Sequence, residues 1–263
     1  MNIELVITRE CNRVCRWCEQ GVGLLDWSDS RMPLRKVDSF IRQVQRLGIT
    51  CAKLSVAGGE PMMHPELSQI CLRLRSLRRS GNVKRLLLLT NGDCGTDKMP
   101  RGVRPKVSAD KSHHMPWFVS PWDLGIRGRN GSRLCRISRG CGVAYDVHGW
   151  ARCIVAVPLG RVLGEEVHSS VPPIRPLESI CRHCLYSIPV MVRLGINWLV
   201  ASGAIPYPSK TFAKGLSLKQ RPLQQGEANL AEYAGRCAME NSLRPRAQIE
   251  LLGKTAEKLA QLP

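Results

Sequence analysis

The chain has 263 residues, 43% hydrophobic and 23% charged, which excludes wholesale disorder and gives length for one large α/β domain with an appendage. Its 39 Lys and Arg against 21 Asp and Glu leave a formal charge of +18, spread evenly along the sequence, so a basic tail is excluded. A generally positive surface follows, suited to nucleic acid, a nucleotide or an acidic peptide, although solubility alone is also served by it.

In chain order, Ile3 to Thr8 is an apolar run that reads as a strand, and Cys11, Cys15 and Cys18 come directly after it. Leu34, Val37, Phe40, Ile41, Val44 and Leu47 recur at helical spacing and stop at Gly48. A second strand is expected over Lys53 to Ala57, ending in Gly58-Gly59-Glu60-Pro61, with a helix over Pro65 to Leu77 and a third strand over Lys84 to Thr90. Strand, helix, strand, helix, strand begins a βαβαβ half-barrel. Lys106 to Asp110 offers a short fourth strand and Trp117 to Ser120 a fifth. From Cys135 to Cys184 five cysteines sit among glycines and prolines, which suits a small ligand-organised module. Helix-like patches follow at 227–239 and 247–262. The expected domains are a core at 1–134, a cysteine-rich module at 135–186 and a mainly helical extension at 187–263.

The longest apolar stretch, 188–204, is interrupted by Arg193, Asn197 and Gly203, so no membrane span is expected. The first residues show neither a basic flank nor a cleavage site, so no signal peptide is expected. With 12 cysteines and no export signal, metal or cluster ligation in a reducing cytoplasm is expected in preference to disulfides.

Three thiolates on one tight loop can each hold one iron of a cubane cluster, leaving the fourth iron open to a small molecule. Zinc takes thiolates too, but its sites usually pair Cys-x2-Cys with a second such pair. The Cys-x3-Cys-x2-Cys spacing of Cys11, Cys15 and Cys18, with Trp17 before the last, resembles the signature of the radical S-adenosylmethionine (radical SAM) superfamily.

The resemblance implies a partial (βα) barrel whose [4Fe–4S] cluster binds and reductively cleaves S-adenosylmethionine, giving a 5′-deoxyadenosyl radical that abstracts hydrogen from substrate. It also implies cofactor contacts from Gly58, Gly59, Glu60 and Pro61 to the methionyl amino group. Asn91 in Thr90-Asn91-Gly92, with Ser108 and Asp110, stands where relatives contact the carboxylate or ribose, and Trp17 where they contact adenine. A carboxylate suits an ammonium, and glycines let backbone approach a ligand closely. Successive strand ends are where parallel α/β barrels assemble active sites.

The later cysteines resemble the SPASM or twitch auxiliary modules of that superfamily. Cys141, Cys153, Cys181 and Cys184 are the favoured ligands of a second [4Fe–4S] cluster, Cys135 is the fifth candidate, and a zinc knuckle fits the same residues. Cys94 is a candidate hydrogen donor or ligand, with an idle thiol as the alternative, while Cys51, Cys71 and Cys237 read as structural; His113 and His114 read as a polar loop pair. The resemblance implies an electron donor such as flavodoxin or ferredoxin. The leading expectation is an enzyme acting on a peptide or protein. The alternatives are radical modification of a nucleotide or RNA, and a zinc- or cluster-stabilised nucleic-acid-binding protein without catalysis.

Overall fold

The computed structural model describes residues 1–13, 15, 17–22, 25–95, 99–108, 117–127, 135, 140–173 and 177–217. β1 (Asn2–Thr8) is buried at every position from Ile3 on, as a central strand of a parallel sheet must be. It pairs in parallel with β2 (Lys53–Gly58) on one side and β5 (Val143–Asp146) on the other. β3 (Leu86–Thr90) and β4 (Arg104–Val107) continue the parallel array beyond β2. β6 (Gly149–Ala151) and β7 (His168–Ser169) extend it antiparallel beyond β5. Among the described residues the sheet therefore has seven strands, in the order β4-β3-β2-β1-β5-β6-β7.

The crossovers are α1 (Leu34–Arg46) and α2 (Leu67–Arg79), close to the expected spans. Strand side chains alternate between faces, so Ile3, Leu5 and Ile7 join Val37, Phe40, Val44, Ile70 and Leu74 in one core. Val6, Ala57 and Ala144 belong to a second core with Trp117, Phe118, Val155 and Leu159. That second core also gathers residues of α3 (Ala156–Leu163), α4 (Glu178–Cys181), α5 (Val190–Ala201) and α6 (Lys210–Ser217).

The fold corrects several expectations. The fourth strand sits two residues earlier than expected, and Ser108 follows it. Trp117 to Ser120 is a buried turn leading into a 3-10 helix at Pro121–Leu124, because its apolar side chains pack into the second core without pairing in the sheet. The strand beside β1 is instead β5, so the sheet crosses the boundary expected at 134/135. Of the expected helical extension, α5 and α6 fall among the described residues; the patches at 227–239 and 247–262 lie outside them, as do Asp110, His113, His114 and Cys237.

Candidate metal and cofactor site

β1 ends at Thr8, and the chain turns into the cysteine loop at the carboxyl edge of the parallel strands. The two glycines at the end of β2 pin that exit. A Cβ on Gly58, whose φ is 150°, would fall inside the van der Waals envelope of the Thr8 carbonyl oxygen, and one on Gly59 would do the same to the Glu10 oxygen. The backbone N–H of Gly59 donates to Thr8 O at 2.9 Å and that of Glu60 to Glu10 O at 2.7 Å. In the structure these glycines admit the close approach of the chain entering the cysteine loop, where the sequence reading had them admit a ligand.

Glu60 is fully buried. Its Oε1 accepts from Met62 N at 2.9 Å and its Oε2 from Asn91 N at 2.7 Å, so the carboxylate braces the ends of β2 and β3 against each other. Pro61 opens a short 3-10 helix capped by Glu60. Asn91 reaches across to the loop, with Nδ2 donating to Asn12 Oδ1 at 2.8 Å and lying 4.0 Å from Cys11 Sγ. Asp93 takes Arg13, with Nε donating to Oδ2 at 2.6 Å and Nη2 to Oδ1. The Thr90-Asn91-Gly92-Asp93 turn thus clamps the segment between Cys11 and Cys15. Ser108 is exposed, its N–H donating to Thr90 O at 2.7 Å, and Trp17 is buried in the second core. Cys94 is half-buried in the turn after Gly92.

Several residues around the loop escaped the sequence reading. Arg9 is buried, its Nη1 donates to Gln20 Oε1, its Nη2 stands 3.6 Å from Asp146 Oδ2, and it packs over Trp27 with Cζ 4.1 Å from the ring centroid. Burial lowers its pKa to about 10 against the charges of Asp146 and Cys18. Asp146, at the end of β5, accepts from His168 Nε2 at 3.0 Å; burial raises its pKa, but that bond and Arg9 hold it below the ordinary range. The signal available was position: Arg9 precedes the cysteine loop, and Asp146 ends a strand.

The cysteine loop fits a charged cluster. Burial pushes the Cys18 thiol up to about 12, a cost that bound iron would offset by favouring thiolate. Gln20 Nε2 is a buried donor without a hydrogen-bond acceptor, which suits an anionic group beside the loop, whereas Arg9 Nη2 faces the Asp146 carboxylate.

The later cysteines divide differently from the expected set. Cys135, Cys153, Cys181 and Cys184 line one small pocket closed by Val155, Leu159 and Tyr186. Burial raises the Cys153 thiol to about 12, with the neighbouring Cys135 and Cys181 sulfurs adding to it. Cys184 is raised well above its ordinary value by burial and then by Cys153, Cys135 and Cys181. Cys141 does not line that pocket; it lies near buried Glu4 on β1, and burial raises both groups. Gly142 lies against the Asn2 carbonyl and carries Cys141 to the start of β1, while the fifth candidate, Cys135, lines the pocket. Cys51 and Cys71 are buried in the first core, as expected. Among the described residues, no three Cys, His, Asp or Glu side chains converge closely enough for a single metal ion.

Residues 5–104 match the model of the Radical SAM superfamily. The matched segment runs from β1 to the start of β4, and members of that superfamily carry a [4Fe–4S] cluster and S-adenosylmethionine. The mitochondrial GTP 3′,8-cyclase of Arabidopsis thaliana is 30% identical over 103 residues, covering 38% of this chain and 24% of that relative's length. A crystal structure of BtrN in an open conformation aligns over 58% of this chain and 68% of that one, with 16% identity and a TM-score of 0.37. The family match and the cyclase relative support an enzyme of the radical SAM class, and the mixed sheet is consistent with a partial radical SAM barrel. Among the described residues no helix is long and apolar enough to cross a membrane.

Proposed function

We propose that the protein reductively cleaves S-adenosylmethionine at a [4Fe–4S] cluster held by Cys11, Cys15 and Cys18, and uses the resulting 5′-deoxyadenosyl radical to abstract hydrogen from a substrate. The observation that carries this is the cysteine loop fixed at the carboxyl edge of the parallel strands, pinned by Gly58 and Gly59 and clamped by Asn91 and Asp93. When bound, the cluster and S-adenosylmethionine supply the electron and the radical. The protein's residues hold and shield them: Glu60 fixes the spacing of two strand ends, Gln20 Nε2 offers a buried donor beside the loop, and Arg9 adds a buried positive charge there that Asp146 balances. The backbone of Gly58 to Pro61 and the strand-end residues Asn91, Ser108 and Asp110 remain the proposed cofactor contacts.

The pocket of Cys135, Cys153, Cys181 and Cys184 is the proposed site of a second [4Fe–4S] cluster, with zinc as the competing occupant. A peptide or protein is the substrate class that an auxiliary cluster favours. A nucleotide is the second reading, favoured by the charge of +18 and by the cyclase relative. A soluble electron donor and a cytoplasmic location complete the proposal.

Anaerobic reconstitution tests it, with iron and sulfide measured per chain and dithionite-dependent 5′-deoxyadenosine followed by chromatography. Cys15→Ala is expected to abolish cleavage, and Cys153→Ala to retain cleavage while losing product. Zinc in place of iron, with no cleavage of S-adenosylmethionine, would sink the proposal.

A further inference from the structure

Three ion pairs flank the cysteine loop among the described residues: Arg9 with Asp146, Arg13 with Asp93, and Arg31 with Glu10. Solvent treats them differently. The side chains of Arg13 and Asp93 are 26% and 37% exposed and those of Arg31 and Glu10 52% and 41%, so water and salt screen both pairs. Those of Arg9 and Asp146 are 1% and 6% exposed, and charge acts further where the effective dielectric is low.

Arg9 ties the two ends of the loop together. It stands just before Glu10 and Cys11, its backbone N–H donates to Ser30 Oγ at 3.0 Å, and its Nη1 donates to Gln20 Oε1 beyond Cys18. Its guanidinium lies over the Trp27 ring, and Trp27 Nε1 donates to Gly21 O at 3.3 Å. The charges that act on it are those of Asp146, Cys18 and Arg161. Asp146 is fixed in turn, its Oδ1 accepting from His148 N at 2.9 Å and from His168 Nε2 at 3.0 Å. Its other oxygen, Oδ2, is the one that faces Arg9 Nη2 at 3.6 Å.

We propose that the buried Arg9–Asp146 pair sets the reduction potential of a [4Fe–4S] cluster bound by the loop: Arg9 favours the reduced state, and Asp146, a positioning residue acting through Arg9, limits that effect. This rests on the reading of Cys11, Cys15 and Cys18 as cluster ligands. Reduction adds one electron, taken from a low-potential reductant that is oxidised by one electron; no bond forms or breaks. The reduced centre and its thiolates carry one more negative charge, which a buried cation beside Cys18 stabilises, and neighbouring charge and hydrogen bonds are established levers on such potentials. The carboxylate opposes the cation. Their balance keeps the potential low, as suits a donor whose electron goes to a sulfonium.

Redox titration with dithionite, followed by electron paramagnetic resonance on the anaerobically reconstituted protein, tests this. The first-site signal is the one absent from Cys15→Ala. Asp146→Asn keeps the oxygen that accepts from His148 and His168 but removes the charge, and is expected to raise the midpoint by about 59 mV, a tenfold change in the one-electron equilibrium. Arg9→Gln is expected to lower it by a similar amount, the double variant to return most of the way to the wild-type value, and Arg9→Lys, which conserves the charge, to stay near it.

Opposite signs are the signature of charge, since a pair that merely bolts the loop in place would move both single variants the same way. An unchanged midpoint in Asp146→Asn, shifts of the same sign in Asp146→Asn and Arg9→Gln, or a shift in Arg9→Lys matching that of Arg9→Gln would overturn the proposal. Where one single variant loses its iron, the sign of the shift in the other decides; loss from both marks the pair as structural and overturns it too. Failure of the cluster reading looks different: the wild type itself would bind zinc, or show no signal that Cys15→Ala removes.

Discussion

Gly59 shows how a single missing side chain sets the geometry of the cysteine loop. Its ideal Cβ would collide with the Glu10 carbonyl, and Glu10 is the residue before Cys11. Gly59→Ala is therefore expected to destabilise the fold by about 1–3 kcal/mol, the usual cost of overpacking, and to displace the loop enough to lose iron from the first site. Urea unfolding and iron analysis of the reconstituted variant check both effects. His168 gives a second prediction at this scale. Burial alone would lower its pKa, but Asp146 and Glu166 raise it above the ordinary 6.5. Its stabilising contribution is then complete below pH 6.5 and lost as pH rises through the raised value. Asp146, held below 3.8, contributes above that pH and loses its share as pH falls through the depressed value. The difference in Tm between the wild type and His168→Gln is expected to shrink as pH rises through the raised value, and a difference independent of pH would count against this account.

Elements decide which cysteines meet. Cys181 and Cys184 were legible as a pair because Cys-x2-Cys spacing places two thiols around one short turn, here α4 and its end. Cys153 and Cys135 were candidates beside them, but spacing did not say which of the five share a pocket, since Cys135 and Cys153 come from segments on either side of the β5–β6 hairpin and the backbone path brings them together. Cys141 looked equivalent in the sequence but lies outside that pocket, just before β5. Accordingly, Cys135→Ala is expected to lose about four irons per chain, one cluster's worth, whereas Cys141→Ala keeps them. Iron analysis and the visible absorption of the reconstituted variants separate the two. The same limit explains the strands: β1, β2 and β3 announced themselves by apolar runs ending in glycine motifs, while the burial of Trp117 to Ser120 gave the same apolar signal without sheet pairing.

For the whole molecule, the sheet order makes β1 an interior strand held by β2 and β5. A chain ending at residue 134 keeps all of the first crossovers yet leaves one edge of β1, its most buried strand, without a partner. Such a fragment is expected to aggregate, because a long apolar edge is a template for other chains. A monodisperse fragment in size-exclusion chromatography would contradict this. Charge follows the same logic. Lys and Arg are spread evenly along the sequence, but in a parallel array each crossover returns to the same edge, so the cations closing α1 and α2 gather there. Carboxylates such as Asp93 and Asp146 fall instead at the carboxyl ends of strands.

The sequence by itself carried the reading proposed for the first site. Three cysteines within eight residues are near neighbours whatever the rest of the chain does, and a glycine pair, a carboxylate and a strand-end turn in order mark successive strand ends. Only the tertiary structure decided what those residues touch: that Gly58 and Gly59 face the loop's entry, that Glu60 braces two strands, that Arg9 lies buried beside the loop, and that Cys135, not Cys141, lines the pocket of Cys153, Cys181 and Cys184. Each depends on contacts between segments far apart in the chain, and local spacing carries no record of how the backbone closes those distances.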